Sequence, residues 1–254
     1  MSAQTMQIGS RPCRIYGEAH AEYLLLQMTG EHELQSIDSE VAAIAQSNRK
    51  YLFAAIPAES WNDALSPWEA PAVWGKQGFD GNAGDTLRFL TEQVMPTLKQ
   101  QFNLPENVKI ILGGYSLAGL FALWASTQTD LFYGVAAASP SVWFPGWMEF
   151  EQQHPIQAQH IYLSLGDKEE HTKNAVIHEL LDSLPEGQNA LVVSHAAAIC
   201  SYLQRFCTVE VTDAAQKLRR ITFQGEVLLD GHFWEADGFV LHIENRRPVL
   251  IRTI

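Results

Sequence analysis

The chain has 254 residues, enough for one substantial core, and its 46% hydrophobic and 18% charged residues exclude both a disordered and a membrane-saturated chain. A net charge of −12 with only 17 Lys and Arg makes the long-range field repulsive to phosphate backbones and anionic headgroups, which argues against nucleic-acid and membrane partners. Cys13, Cys200 and Cys207 form no CxxC pair and have no interleaved histidine at ligand spacing, so they read as reduced thiols or apolar filler and no metal is expected.

The N-terminal MSAQTMQIGSRP has no basic start followed by an apolar stretch, and no run approaches the ~18 apolar residues of a membrane span. A soluble cytoplasmic protein is expected. Tyr23 to Met28 is the first clear strand, and Ser36 to Ser47, with Ile37, Val41, Ile44 and Ala45 at helical spacing, reads as a helix crossing over the sheet. Tyr51 to Ile56 is a second strand, closed by Pro57. It opens into AESWNDALSPWEAPAVWGKQGFDGNAG, a loop whose length points to function and whose aromatics argue against disorder. Leu87, Leu90, Val94 and Leu98 trace a helix over Asp85 to Gln101, with a kink expected at Pro96.

Val108 to Leu112 is a nearly continuous apolar strand, the pattern of a central parallel strand covered on both faces. Leu117 to Gln128 is a helix apolar on nearly all sides, and Tyr133 to Ala138 and Ile161 to Leu165 are further strands. Strand and helix alternate throughout, with no repeat or low-complexity linker. The expected architecture is therefore a single α/β domain over residues 1–254, a mostly parallel sheet with helices on both faces. The last segment, GFVLHIENRRPVLIRTI, alternates and is β-branched, so it reads as strand.

In KIILGGYSLAGLFALWA a buried strand turns through Gly114, Tyr115 and Ser116 directly into a buried helix. A serine in such a turn is held in a strained conformation that lifts Oγ above the sheet edge, and its neighbours two residues away must be small, as Gly114 and Ala118 are. Gly119 lets the helix approach the strand. The helix N-terminus lends positive potential to an oxyanion beside Ser116, with the Leu117 amide as one donor.

GYSLAGLFALWA, followed by SPSVWF at 139 to 144, resembles the putative-esterase family of α/β-hydrolases, which includes enterochelin esterases, feruloyl esterases and esterase D. SWNDALSPW and IYLSLGDKEEHTKN extend the resemblance over roughly residues 13 to 175. It implies an α/β-hydrolase fold and a serine esterase using a Ser, acid, His order along the chain, with no cofactor.

Past a late strand, IYLSLGDKEE supplies Asp167, Glu169 and Glu170. The family's pattern of Gly followed three residues later by an acid makes Glu169 the first choice, with Asp167 the runner-up. Of nine histidines, the base must follow the acid near a final strand. His232 in LLDGHFWEADG is best placed, and GHF is similar to the family's His turn; His195 in ALVVSHAAAI is the rival. The second oxyanion donor is expected from the loop after the first clear strand, at Glu31 or Gly30, where Thr29 stands in place of the His of many relatives.

Trp61, Trp68, Trp74 and Trp143 lie in segments that would reach the carboxyl edge of the sheet. There they would line an acyl or aryl pocket, although tryptophan also fills cores routinely. The expected partner is a small-molecule ester. Two other readings stand beside the esterase. One is a non-catalytic α/β-hydrolase scaffold, suggested because the chain departs from the family pattern after Asn174. The other is a phosphatase-type enzyme using His195, since NALVVSHAAAICSYLQRF is similar to a histidine-phosphatase motif, although RIYGEAH lacks that family's nucleophile.

Overall fold

The computed structural model describes residues 3–30, 33, 36–73, 75–164, 182, 184, 187–195, 208–213, 218–232, 238–245 and 247–253, and for parts of the later strands the backbone alone. It divides into two compact units, Met1–Ser141 and Val142–Ile254.

In the first unit, β1 (Gln4–Ile8), β2 (Arg11–Gly17), β3 (Tyr23–Thr29), β4 (Tyr51–Pro57), β7 (Lys109–Tyr115) and β8 (Gly134–Ala138) lie in the order β1-β2-β4-β3-β7-β8. β4, β3, β7 and β8 are mutually parallel, and β2 and β1 add antiparallel at one edge. Parallel neighbours need crossovers, which α1 (Ile37–Ala45), the helical run 83–101 and α5 (Leu117–Gln128) supply. Strands, helices and the parallel centre all agree with the sequence reading. The hairpin of β1 and β2 does not appear in that reading, because QTMQI and RPCRIYG are polar or Pro-interrupted and carry little apolar alternation.

Register partners share a face, so the sheet sorts its side chains cleanly. Leu24, Leu26, Met28, Leu52, Ala54, Ile56, Ile110, Leu112, Val135 and Ala137 all point one way and are buried. α5 packs there, over β7 and β8, with residues 117–127 buried on every side. Each fully buried Leu or Ile on this face contributes roughly 2 kcal/mol by area. On the opposite face Ile37 and Val41 of α1 meet Tyr16, Tyr51, Phe53 and Ala55, with Tyr16 edge-on to Phe53 at a ring separation of 6.0 Å. The Tyr16 hydroxyl donates to Asp38 Oδ1 at 2.9 Å, and the Gln27 amide donates to Glu40 Oε2 at 2.9 Å, fixing the rotation of α1.

The expected kink at Pro96 takes a specific form. The helix runs as α3 (Ala83–Phe89), a π-turn over Leu90–Val94, and α4 (Met95–Gln101). Pro96 has no N–H and its ring crowds the carbonyl four residues back, and the wider turn absorbs both defects without breaking the helix. The long loop is ordered, as its aromatics suggested. It holds α2 (Trp61–Leu65) and a short pair, β5 (Glu69–Ala70) with β6 (Phe79–Asp80). The Thr86 hydroxyl donates to Ala64 O at 2.6 Å and Gly81 N donates to Ser66 Oγ at 2.9 Å, and α2 packs against α5.

The second unit contains α6 (Trp147–Gln153) and β9 (His160–Ser164), which pairs parallel with β10 (Asn189–His195). β14 (Gly238–Glu244) and β15 (Arg247–Thr253) extend it antiparallel, the strands expected of the alternating C-terminal segment. β11 (Thr208–Asp213), β12 (Leu218–Phe223) and β13 (Glu226–His232) form a separate antiparallel sheet. Among the described residues no helix is long and apolar enough to cross a membrane.

Cys13 is a free thiol on β2 with no exposure. Burial disfavours its thiolate and pushes the pKa from an ordinary 9.0 up to about 11, against a smaller lowering by Arg11. The folded chain therefore keeps this proton to higher pH than the unfolded one, and the stability it contributes is lost as pH rises through that window. At pH 8 only about one thiol in a thousand would be ionised. Iodoacetamide at pH 8 should leave the Cys13 peptide unmodified in the folded protein and modify it after denaturation. Peptide mass mapping checks this, and equal labelling in both states would refute it.

Candidate active site

The end of β7 and the start of α5 meet at Ser116, whose backbone stands at φ 57 and ψ −117. A non-glycine residue reaches this region only at a cost of about 1–3 kcal/mol, so surrounding structure must hold it there. The holding groups all come from the end of β8 and the turn after it. Ser116 N donates to Ala138 O at 2.9 Å, Ser141 N donates to Ser116 O at 3.0 Å, and the two side-chain oxygens, Ser116 Oγ and Ser141 Oγ, lie 3.2 Å apart.

The small residues around the turn are required by distance. A Cβ on Gly114 would strike the Cβ of Ala118 and stand 2.7 Å from its carbonyl carbon. On Gly119 it would meet Gly114 O at 3.1 Å and Pro140 Cα and Cβ at 3.2 Å. Gly119 thus admits both the strand and the Ser139-Pro140-Ser141 segment, whose Ser139 is itself at φ 42. Leu120 N donates to Ser116 O at 3.1 Å, the first bond of the helix. The amides of residues 117 to 119 therefore have no intrahelical acceptor, and that of Leu117 adjoins Ser116.

Of the expected site residues, the structure brings Ser116 and Leu117 together at this turn, with Leu117 buried and Ser116 half-buried. Trp61 opens α2 and Trp68 follows it in the ordered loop, both half-buried; Trp143 is half-buried in the second unit. Glu31, Glu169, Asp167 and Trp74 lie outside the described residues. His232 and His195 end β13 and β10, and their side chains also lie outside what is described. Gly30, the alternative second oxyanion donor, has its amide engaged: it donates to Glu33 Oε2 at 2.6 Å. One neighbour escaped the sequence reading: Ser141, 1% exposed, backs Ser116, while Tyr115, already read as part of the turn, is 50% exposed beside it. The repeated serines of SPSVWF were the available signal for Ser141.

The six strands of the first unit with their parallel centre, the helices on both faces and a serine at positive φ between β7 and α5 define an α/β-hydrolase. Solved structures share that fold. An IroE-like serine hydrolase from Shewanella oneidensis superposes with a TM-score of 0.66 at 16% identity, over 80% of this chain and 78% of that one. The enterobactin and salmochelin hydrolase IroE gives 0.55 at 18% identity, over 76% and 85%. The enterobactin esterase FES from Shigella flexneri gives 0.55 at 16% identity, over 72% of this chain and 51% of that one. A search of curated proteins finds no match.

The family model described as "Putative esterase" matches residues 28–207, more than half of the sequence, and the chain belongs to that family. It is an ester hydrolase by that membership.

The crowding at the turn has a measurable consequence. Gly114→Ala should lower stability by about 1–3 kcal/mol, shifting the thermal midpoint by roughly 2–4 °C per kcal/mol. A midpoint within about 1 °C of the parent, read by calorimetry, would contradict the described packing.

Proposed function

We propose that the chain hydrolyses carboxylic esters through an acyl-enzyme on Ser116. The observation that carries this reading is the left-handed backbone of Ser116 at a strand-to-helix junction, a conformation that raises Oγ above the sheet edge beside amides with no intrahelical acceptor.

In this reading His232 takes the Ser116 proton as Oγ attacks the ester carbonyl carbon, and Glu169 orients the imidazole. Negative charge on the carbonyl oxygen is met by the Leu117 and Glu31 amides. The tetrahedral intermediate expels the alcohol, which receives the proton from the imidazolium. Water, deprotonated by the same imidazole, then attacks the acyl carbon, releases the acid and restores Ser116. The engaged Gly30 amide supports Glu31 as the second donor. Asp167 and His195 are the alternatives for acid and base.

The names of the solved relatives carry enterobactin and salmochelin. A siderophore-type ester is therefore the first substrate class to test, ahead of aryl esters, thioesters and carbohydrate acetates. Trp61, Trp68 and Trp143 are proposed to supply the aromatic lining of the acyl or aryl pocket.

Ser116→Ala should reduce p-nitrophenyl butyrate turnover at least about a thousandfold and abolish fluorophosphonate labelling. His232→Ala should match that loss and His195→Ala should not. Undiminished turnover in Ser116→Ala would refute the assignment. Failure of the folded parent to label would leave a scaffold without catalysis.

A further inference from the structure

We propose that Ser141 is a positioning residue for the nucleophile, donating a hydrogen bond from its hydroxyl to Ser116 Oγ. The inference deepens the reading of Ser116 as nucleophile and rests on it.

Ser141 is 1% exposed, and a buried hydroxyl needs a partner. The partner in the structure is Ser116 Oγ, 3.2 Å away across 25 residues of sequence. The approach is built by the backbone. Ser141 N donates to Ser116 O at 3.0 Å, Ser116 N donates to Ala138 O at 2.9 Å, and the missing side chain of Gly119 admits Pro140 against the first turn of α5. The segment thus grips the main chain of residue 116 on both sides and lays one hydroxyl against its oxygen.

The direction of the bond follows from what the oxygen must do. Ser116 has one proton, and attack requires that proton to leave for a base. If Ser116 donated to Ser141, the proton would be turned away from the base. If Ser141 donates, it occupies a lone pair, fixes the side-chain rotamer, and meets the charge that grows on Oγ as the proton departs. Once acylated, the same oxygen is an ester oxygen and a poorer acceptor. The bond is therefore strongest while charge resides on Oγ, and its loss falls on the chemical step and not on ester binding.

Ser141→Ala deletes the hydroxyl and keeps the amide bond to Ser116 O. It should lower kcat for p-nitrophenyl butyrate and the fluorophosphonate labelling rate each about ten- to a hundredfold, the range expected for a hydrogen bond to a charged group. KM should stay within about threefold and the thermal midpoint close to the parent. Ser141→Cys, a weaker donor, should fall between the two. A kcat and labelling rate within about twofold of the parent in Ser141→Ala would overturn the proposal. Were that variant not to fold, Ser141→Cys labelling within about twofold of the parent would overturn it equally. Failure of the underlying reading looks different: Ser116→Ala would then turn over the ester as fast as the parent.

Discussion

A serine held at positive φ is the constraint around which the first unit is arranged. The conformation costs about 1–3 kcal/mol, and the two backbone hydrogen bonds that residues 138 and 141 make to Ser116, each worth about 1 kcal/mol net, are of the right size to offset it. Those bonds require β8 to lie beside β7 and the following turn to fold back over α5. The requirement reaches into the sequence as Gly114, where a Cβ would strike Ala118, and as Gly119, where one would crowd Gly114 O and Pro140.

Burial elsewhere serves the same end. α5 is enclosed along nearly its whole length, so its N-terminus cannot drift relative to β7. The loop between β4 and the helical run 83–101 adds α2 against α5, tied down by Thr86 and Ser66. Rigid elements under a functional group hold it to geometry better than loops do, and Ser116 stands where a largely buried central strand meets an almost wholly buried helix.

Much of this was readable before any coordinates. β4, β7 and α5 announce themselves because they are buried on both faces and need unbroken apolar runs, and α5 has the bounds its composition suggested. The strand-to-helix turn at Ser116 was legible because steric demand leaves room only for small residues at positions 114 and 119. The β1–β2 hairpin was not: its strands gain order from pairing at the sheet margin, and Gln4, Gln7 and Pro12 give no periodic signal. Nor was Ser141, since its approach to Ser116 depends on a left-handed Ser139 and a glycine on another element, and no local pattern encodes such a meeting. The π-turn before Pro96 was visible only as a kink, because the sequence marks the missing donor but not how the chain accommodates it.

The outermost strand of the first unit carries a further consequence. β1 is five residues long and mostly exposed, with Gln4, Thr5 and Gln7 along it. Its outer rim of peptide groups has little apolar surface beside it to reward a second copy that tried to continue the sheet. An open sheet invites fibrillar growth at such a margin, and a short, amide-rich border offers an approaching strand less to bury than a longer aliphatic one would.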